Sequence, residues 1–223
     1  MRIRVRVAAT VLALLSVVGV PGTARADADG PEPVPWFHQQ LRDDCEAAAL
    51  RMVLAARGVA VTDREVLDRV GVDLDHPEFG HSGPRSGDPY RAFVGDPDGS
   101  ERGGTGFGVY APPIAAAARS FGLGVLVAGD GVDPDLLGDL VQAGHPAVVW
   151  VDYLWRDRVP DWYRAYDGRL VPYAGPAEHA VVVAAVDGDR FEVDDPARGR
   201  YWIDAARFAA GYATYGDMAV VVD

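Results

Sequence analysis

Apolar residues recur at helical spacing soon after a proline-rich polar stretch. In the segment CEAAALRMVL, which begins at Cys45, they form one broad face of a helix that we expect to end near Gly58. Asp43 or Asp44 can cap its first turn, because a side-chain oxygen there accepts a hydrogen bond from an otherwise unpaired backbone N–H group. The segment TDREVLDRVG has the same periodicity. The pattern therefore predicts two consecutive helices at the start of the folded domain.

The rest of the chain alternates between helical segments and short apolar runs of strand length. We predict helices in APPIAAAARSFG, DPDLLGDLVQAG and DAARFAAGY. We predict strands in LGVLVAG, HPAVVWVDY, HAVVVAAVDGDRFEVDDPARGRYWI and DMAVVVD. The span from Val72 to Gly108 is rich in glycine, aspartate and proline and is predicted to be a long surface loop, and residues 154–176 an aromatic loop. Helices followed by strands with inserted helices indicate an α+β layered domain.

The first 26 residues have the pattern of a secretory signal peptide. Arginines precede the apolar run VAATVLALLSVVGV, and Ala24-Arg25-Ala26 supplies the small residues expected before a cleavage site. The apolar run is short for a helix that spans a bilayer. We therefore expect residues 1–26 to be removed, residues 27–35 to form an extended arm, and residues 36–223 to form one domain. That domain is expected to be secreted or retained in the cell envelope without membrane insertion.

The charge of the chain limits its partners. Removal of the signal peptide takes away four arginines and no acidic residue, which lowers the formal net charge from −12 to −16. So acidic a protein repels nucleic acid and anionic lipid, because each phosphate contact forms against an unfavourable field. The hydrophobic fraction of 49% is sufficient for one compact core.

Cys45 is the single cysteine of the chain. It cannot form an internal disulfide, so it is an intermolecular linker, a buried inert residue or a reactive thiol. At the first turn of a helix, unpaired N–H groups and the helix dipole stabilise an anion and lower the pKa of a thiol. Acyl transfer by a thiolate also needs a proton shuttle, a group that orients the shuttle and donors for the oxyanion.

The remaining sequence offers candidates for each of these roles. His179 precedes the apolar run AVVVAAV, and Asp194 and Asp195 follow at the end of the next predicted strand. A hairpin that turns near Asp187-Gly188 brings these acids back beside His179, where a carboxylate fixes the imidazole tautomer. Gln39 or Gln40 could present a side-chain amide to the oxyanion.

With these residues the chain resembles the papain-like cysteine peptidases of family C39, which process bacteriocin leaders, and above all their secreted C39-like relatives. The resemblance rests on Gln39, DCEAAALRMVL, EHAVVVAAVDGDRFEVDDP, FVGD, GTGFGVYAPPIAAAARSFG and GHPAVVWV, and it extends from Val34 to Val222. It implies a papain-like α+β fold in which an N-terminal helical part packs on an antiparallel sheet. By the resemblance, Cys45 is the nucleophile, His179 the general base and acid, Asp195 the orienting residue and Gln39 the oxyanion donor. No cofactor or metal is implied, and the expected partner of a monomeric enzyme is a peptide or protein substrate.

Where the family commonly has glycine after the cysteine, this chain has Glu46, which argues against a bacteriocin leader as substrate. Two other functions stay open: a peptidase-like module that binds peptide or envelope fragments without turnover, and a transglutaminase-like acyl transferase. Which glutamine serves the oxyanion and which aspartate orients His179 also stay open, although Pro196 favours Asp195.

Other motifs are weaker candidates. The run GTGFG follows no strand and is interpreted as a flexible rim of the active site, not as a nucleotide loop. The acids and histidines between Asp73 and His81 have irregular spacing, which predicts a solvated loop and no metal site. His145 lacks an acid at a following hairpin. The aromatic residues between Trp150 and Tyr166 could line a groove for peptide or glycan, or could simply pack.

Overall fold

The computed structural model describes residues 33–223. The predicted signal peptide and most of the predicted arm lie outside the described residues. The last part of that arm belongs to the folded domain, since Val34 is buried in the core and its carbonyl accepts a hydrogen bond from Arg200.

Helices and strands follow one another in the order that the hydrophobic pattern predicts, with additional short strands. The helices are α1 Cys45–Ala56, α2 Asp63–Val70, α3 Ala111–Ser120, α4 Pro134–Gln142 and α5 Ala205–Ala213. The strands are β1 Val72–Asp73, β2 Phe93–Gly95, β3 Gly106–Gly108, β4 Val125–Gly129, β5 Ala147–Asp152, β6 Asp161–Arg164, β7 Leu170–Tyr173, β8 Glu178–Asp187, β9 Arg190–Asp195, β10 Gly199–Asp204 and β11 Ala219–Val222.

A six-stranded sheet forms the centre of the domain, with strand order β10-β9-β8-β5-β11-β4. All of its neighbouring strands pair antiparallel. Alternate residues of β5 point to opposite faces: Val148 and Trp150 belong to a core that includes α1, α2 and α3, whereas Val149 and Val151 belong to a second core with α4 and α5. The predicted α+β arrangement, with an N-terminal helical part packed on an antiparallel sheet, is confirmed.

Helix α1 is buried on every side, where the sequence predicts one apolar face. Even Glu46 is 0% exposed, and Arg51 is 6% exposed. The alanines of α1 allow α2, α3 and β8 to approach closely from several directions. The Arg51 guanidinium is accommodated because Nη1 lies 2.8 Å from Asp63 Oδ1 at the start of α2. Helix α1 therefore buries two charged side chains, and one of them, Glu46, lies in its first turn.

Both long loops predicted from the sequence contain strands, so these predictions are wrong in part. Residues 72–108 include β1, β2 and β3, which form a small sheet, and Phe93, Val94 and Phe107 contribute to the core. Residues 154–176 include the hairpin of β6 and β7. These strands have two to four residues each, too few for a periodic pattern, and backbone hydrogen bonds stabilise them in the folded chain.

Within residues 33–223, no helix has the length and apolar character needed to cross a bilayer.

Candidate active site

Cys45 is the first residue of α1 and is 7% exposed. Its Sγ accepts a hydrogen bond from the backbone N–H of Ala180 at 3.3 Å and donates one to Glu46 Oε2 at 3.5 Å. The N-cap residue Asp44 provides no side-chain cap, since its carboxylate accepts the N–H of Leu41 instead. The thiol is thus held between the uncapped first turn of α1 and the strand that carries His179.

The sequence position of Cys45 predicts a lowered thiol pKa, and the structure contradicts this. Burial raises the pKa of the thiol well above its usual value, and the negative charges of Glu46 and Glu178 raise it further, while the Ala180 N–H only partly compensates. The effect of the helix start is outweighed because the same fold surrounds the sulfur with carboxylates and excludes water. The resting thiol is therefore predominantly protonated at neutral pH.

His179 lies near the start of β8, and Asp195 ends β9. His179 Nε2 is 2.9 Å from Asp195 Oδ1, and the imidazole packs edge-on against Tyr153. Asp195 also accepts hydrogen bonds from the Ala197 N–H at 2.9 Å and from Arg198 Nε at 2.6 Å. Burial by itself would raise the pKa of Asp195, but the hydrogen bond and charge of His179, together with Arg198, lower it far below its usual value. Asp195 is a fixed carboxylate.

The neighbouring acid has another environment. Asp194 points away from His179 and forms a bidentate pair with Arg200, whose Nη2 lies 2.9 Å from Asp194 Oδ2. Of the two acids that the sequence left open, the structure places Asp195 against the imidazole.

The two candidate glutamines also lie in different environments. Gln40 Oε1 accepts the N–H of Asp63 at 3.1 Å, so its side chain is engaged at the start of α2. Gln39 lies beside the cleft, and its Nε2 donates to the Leu41 carbonyl at 3.1 Å. The backbone around Gln39 is tied to the Asp195 turn, because the Gln39 N–H donates to the Pro196 carbonyl at 3.0 Å and Trp36 Nε1 donates to the Asp195 carbonyl at 2.8 Å.

One cleft of about 310 Å³ brings the predicted residues together. Gln39, Cys45 and His179 line it, and Asp195 lies behind His179. Since Asp195 binds Nε2, Nδ1 is the imidazole nitrogen available to the thiol. Among the hydrogen bonds of the described residues, Cys45 and His179 do not share one.

Sequence reasoning missed four acidic residues around the thiol. Asp43, Glu101 and Glu178 line the cleft, and Glu46 lies beneath it, with Oε1 accepting the Val109 N–H at 2.6 Å. Desolvation is the main cause that raises the pKa of Glu46 to about 8, of Glu101 to about 9 and of Asp43 to about 7, and it also raises the pKa of Glu178 well above its usual value. Their positions next to Cys45 and His179 in the sequence were the available signal for Asp43, Glu46 and Glu178; nothing in the pattern indicated Glu101.

Gly108 makes this crowding possible. A Cβ atom on Gly108 would lie 2.3 Å from Glu46 Oε1 and 3.2 Å from Glu178 Oε2, and its φ of +148° also disfavours a side chain. The run GTGFG, interpreted from the sequence as a flexible rim, therefore ends in a buried strand against the acids, and the rim is formed by Ser100, Glu101 and Arg102.

The other sequence candidates lie elsewhere. His145 Nδ1 is 3.5 Å from Asp223 Oδ1, and His145 does not line the cleft. His76 stacks on Tyr166 and pairs with Asp73. Of the aromatic residues considered for a groove, Tyr153 lines the cleft, whereas Trp150, Trp155 and Tyr163 are buried.

The residues nearest to a metal-binding geometry are those around the thiol. Cys45, Glu46 and Glu178 offer a sulfur and two carboxylate oxygens that lie within 4.8 Å of one another. In the part of the chain that the structure describes, they form the single such group of three.

Comparison with known families identifies the family of the chain. A model described as the Peptidase C39-like family matches residues 31–220. The chain belongs to this family. It is accordingly a cysteine peptidase with a papain-like α+β fold, which confirms the resemblance seen in the sequence. No curated protein matches the chain.

Three solved structures were matched to the chain, and the first of them has the same fold. A structure described as that of a C39-like peptidase from Bacillus anthracis superimposes with a TM-score of 0.71 at 22% identity, covering 85% of this chain and 94% of that one. A double-glycine motif protease from an AMS/PCAT transporter, in complex with its leader peptide, has a TM-score of 0.48 at 19% identity and covers 86% and 92% of the two chains. The peptidase domain of Streptococcus ComA, a bi-functional ABC transporter, has a TM-score of 0.47 at 14% identity and covers 83% and 95%.

Proposed function

We propose that this C39-like peptidase is secreted and hydrolyses amide bonds of peptides or proteins as a monomer, with Cys45, His179 and Asp195 as its catalytic triad. The observation that carries the proposal is the contact between His179 Nε2 and Asp195 Oδ1 at 2.9 Å beside a cleft that also exposes Cys45. A buried carboxylate in this position holds the imidazole in one orientation and stabilises its protonated form.

The geometry supports a specific sequence of proton transfers. Cys45 Sγ attacks the amide carbonyl carbon, and His179 Nδ1 accepts the thiol proton as the bond forms. The protonated imidazole then delivers this proton to the leaving amine, and the C–N bond breaks. Water, deprotonated by His179, attacks the thioester and releases the carboxylic acid, which restores the thiol. Because the resting thiol is protonated, the proton transfer accompanies the attack instead of preceding it.

Donors for the oxyanion are available near the sulfur. The N–H groups in the first turn of α1 have no intrahelical partners, and Asp44 does not cap them with its side chain. Gln39 Nε2 is the side-chain candidate, and it must exchange the Leu41 carbonyl for the oxyanion.

The test is hydrolysis of a peptide library by the purified chain and by Cys45→Ala. We expect hydrolysis to fall to background in Cys45→Ala, because no nucleophile replaces the thiol. Undiminished hydrolysis by Cys45→Ala would refute the proposal. The same reactions with an added primary amine distinguish hydrolysis from acyl transfer: free acids indicate hydrolysis, whereas amide products indicate a transferase. Peptide binding without any cleavage would favour a binding module.

A further inference from the structure

Three acids of the cleft each have one carboxylate oxygen without a hydrogen-bond partner among the described residues. The atoms are Asp43 Oδ2, Glu101 Oε1 and Glu178 Oε1, and each is buried. Glu178 is 9% exposed, and all three residues line the same cleft as Cys45 and His179. Since an unpaired buried carboxylate oxygen is costly, each such atom requires an explanation, and a bound ligand supplies one.

Buried acids outside the cleft are treated differently. Asp88 pairs with Arg169 at 3.1 Å, and Asp152 pairs with Arg156 at 2.8 Å. At both positions an arginine compensates the charge of the buried carboxylate. The arginines nearest to the cleft, Arg42 and Arg102, are exposed at its edge, and Arg42 pairs with Asp98 at 3.4 Å. Among the described residues, no arginine forms an ion pair with Asp43, Glu101 or Glu178, and all three acids line the cleft.

The three oxygens come from separate elements. Asp43 precedes α1, Glu101 lies in the loop between β2 and β3, and Glu178 begins β8 next to His179. A guanidinium or ammonium group carries several N–H donors and can satisfy oxygens that approach from different directions. An anionic group at this position would add repulsion, and a neutral donor would leave the charge of the ionised acids uncompensated.

We propose that the cleft selects substrates with an organic cation, a guanidinium or ammonium group, that binds among Asp43, Glu101 and Glu178 beside the scissile amide. This inference rests on the proposed peptidase function of the same cleft and specifies its substrate class. The cation comes either from a lysine or arginine side chain or from the N-terminal ammonium group of a peptide. A bound cation would favour the ionised form of Glu101 and so offset the desolvation that raises the pKa of Glu101 to about 9.

The test measures binding of matched short peptide amides by calorimetry to the purified chain and to Cys45→Ala, which prevents turnover. One peptide is N-acetylated and contains arginine, a second is identical except for neutral citrulline, and a third has citrulline and a free N-terminus. We expect the arginine peptide or the free N-terminus to bind at least about tenfold more tightly than the acetylated citrulline peptide. Which of the two does so identifies the source of the cation.

Variants locate the effect. Glu178→Gln retains the shape of the side chain and removes its charge, and we expect it to reduce the preference to about twofold or less. Glu101→Gln is a second variant should Glu178→Gln unfold. Glu192→Gln is the matched control, because Glu192 pairs with Arg200 at 2.9 Å and lies outside the cleft, and it should retain the full preference.

Equal binding of all three peptides, or an unchanged preference in the folded cleft variants, would overturn the inference. Its failure is distinguishable from that of the proposed function, because the binding measurement needs no turnover. A charge preference without cleavage would refute hydrolysis and retain the cation site. Cleavage without a charge preference would support hydrolysis and refute the cation site.

Discussion

The two walls of the cleft bury carboxylates in contrasting ways. On the wall formed by the end of β9, Asp195 contacts His179 and Arg198, and Asp194 contacts Arg200. On the wall formed by the start of α1 and of β8, Glu46 and Glu178 have no ion pair among the described residues. The two walls meet at the start of β8, where Glu178 is followed directly by His179, the residue that contacts Asp195.

The difference shows that burial alone does not determine the charge of an acid. Asp195 is 0% exposed and its pKa is lowered, because His179 and Arg198 outweigh desolvation. Glu46 is equally buried, and its pKa is raised to about 8, because desolvation is the largest contribution and no cation opposes it. One wall thus presents a permanent negative charge to the imidazole, and the other presents groups that hold protons near the thiol.

The largest effect is expected from removing the charge of Asp195, on the wall where the acids form ion pairs. Asp195→Asn replaces the carboxylate that orients His179 and should lower kcat/KM roughly 100-fold or more, since the imidazolium loses its counter-charge. Steady-state kinetics on a hydrolysed peptide checks this. Asp194→Asn is the control: it removes a buried charge from the same strand, yet leaves the contact with His179 intact. Similar losses in both variants would contradict the assignment of Asp195.

A second test separates a buried pair from an exposed one. Arg51→Met leaves Asp63 buried without its cation, and we expect a loss of about 3 kcal/mol in the free energy of unfolding. Urea denaturation measures it. Arg42→Met removes an arginine from an exposed pair with Asp98 and should cost less than about 0.5 kcal/mol. If both variants lose equally little, the pairing of Asp63 with Arg51 is not a determinant of stability.

The smallest effect is the pH dependence of stability, which arises from the acids around the thiol whose pKa values are raised. The raised pKa values of Glu46 and Glu101, about 8 and about 9, mean that the folded chain binds more protons than the unfolded chain above the ordinary glutamate pKa of about 4.3. Stability is therefore greatest near the lower end of this interval and falls as the pH rises to about 9. Asp195 acts oppositely, because its lowered pKa removes stability only in strong acid.

Thermal unfolding between pH 5 and pH 9 measures this loss of stability. We expect the Tm of the unaltered chain to decrease by several degrees, and the decrease to be smaller in Glu101→Gln, whose amide resembles a permanently neutral acid. Glu192→Gln should follow the unaltered chain. A Tm that does not change between pH 5 and pH 9 in the unaltered chain would contradict the raised pKa values of these acids.

The fold followed from the sequence where elements are long and apolar. Helix α1 and the β8–β9 hairpin were predicted because their hydrophobic runs span many residues, and the turn at Asp187-Gly188 set the return of Asp195 towards His179. The short strands β1 to β3 and β6 to β7 were missed, since backbone pairing within the folded chain defines them.

The residues of the candidate site could be predicted from the sequence, but the pKa shifts within the site could not. Position relative to a helix start indicated a reactive Cys45. The pKa of its thiol is raised mainly by burial and then by the charges of Glu46 and Glu178, and Glu178 lies more than a hundred residues away in the chain. The choice between Gln39 and Gln40 depends on Asp63, in another helix. Neither contact leaves a local pattern.

The hydrogen bonds of Trp36 and Gln39 to the Asp195 turn have a practical meaning for protein engineering. They clamp the segment before α1 to the loop that carries the orienting carboxylate, so a recombinant form shortened past Trp36 would keep every proposed catalytic side chain and still lose part of the support of Asp195. Purification tags and fusion partners are better joined through a spacer that ends before Val34, which is buried in the core.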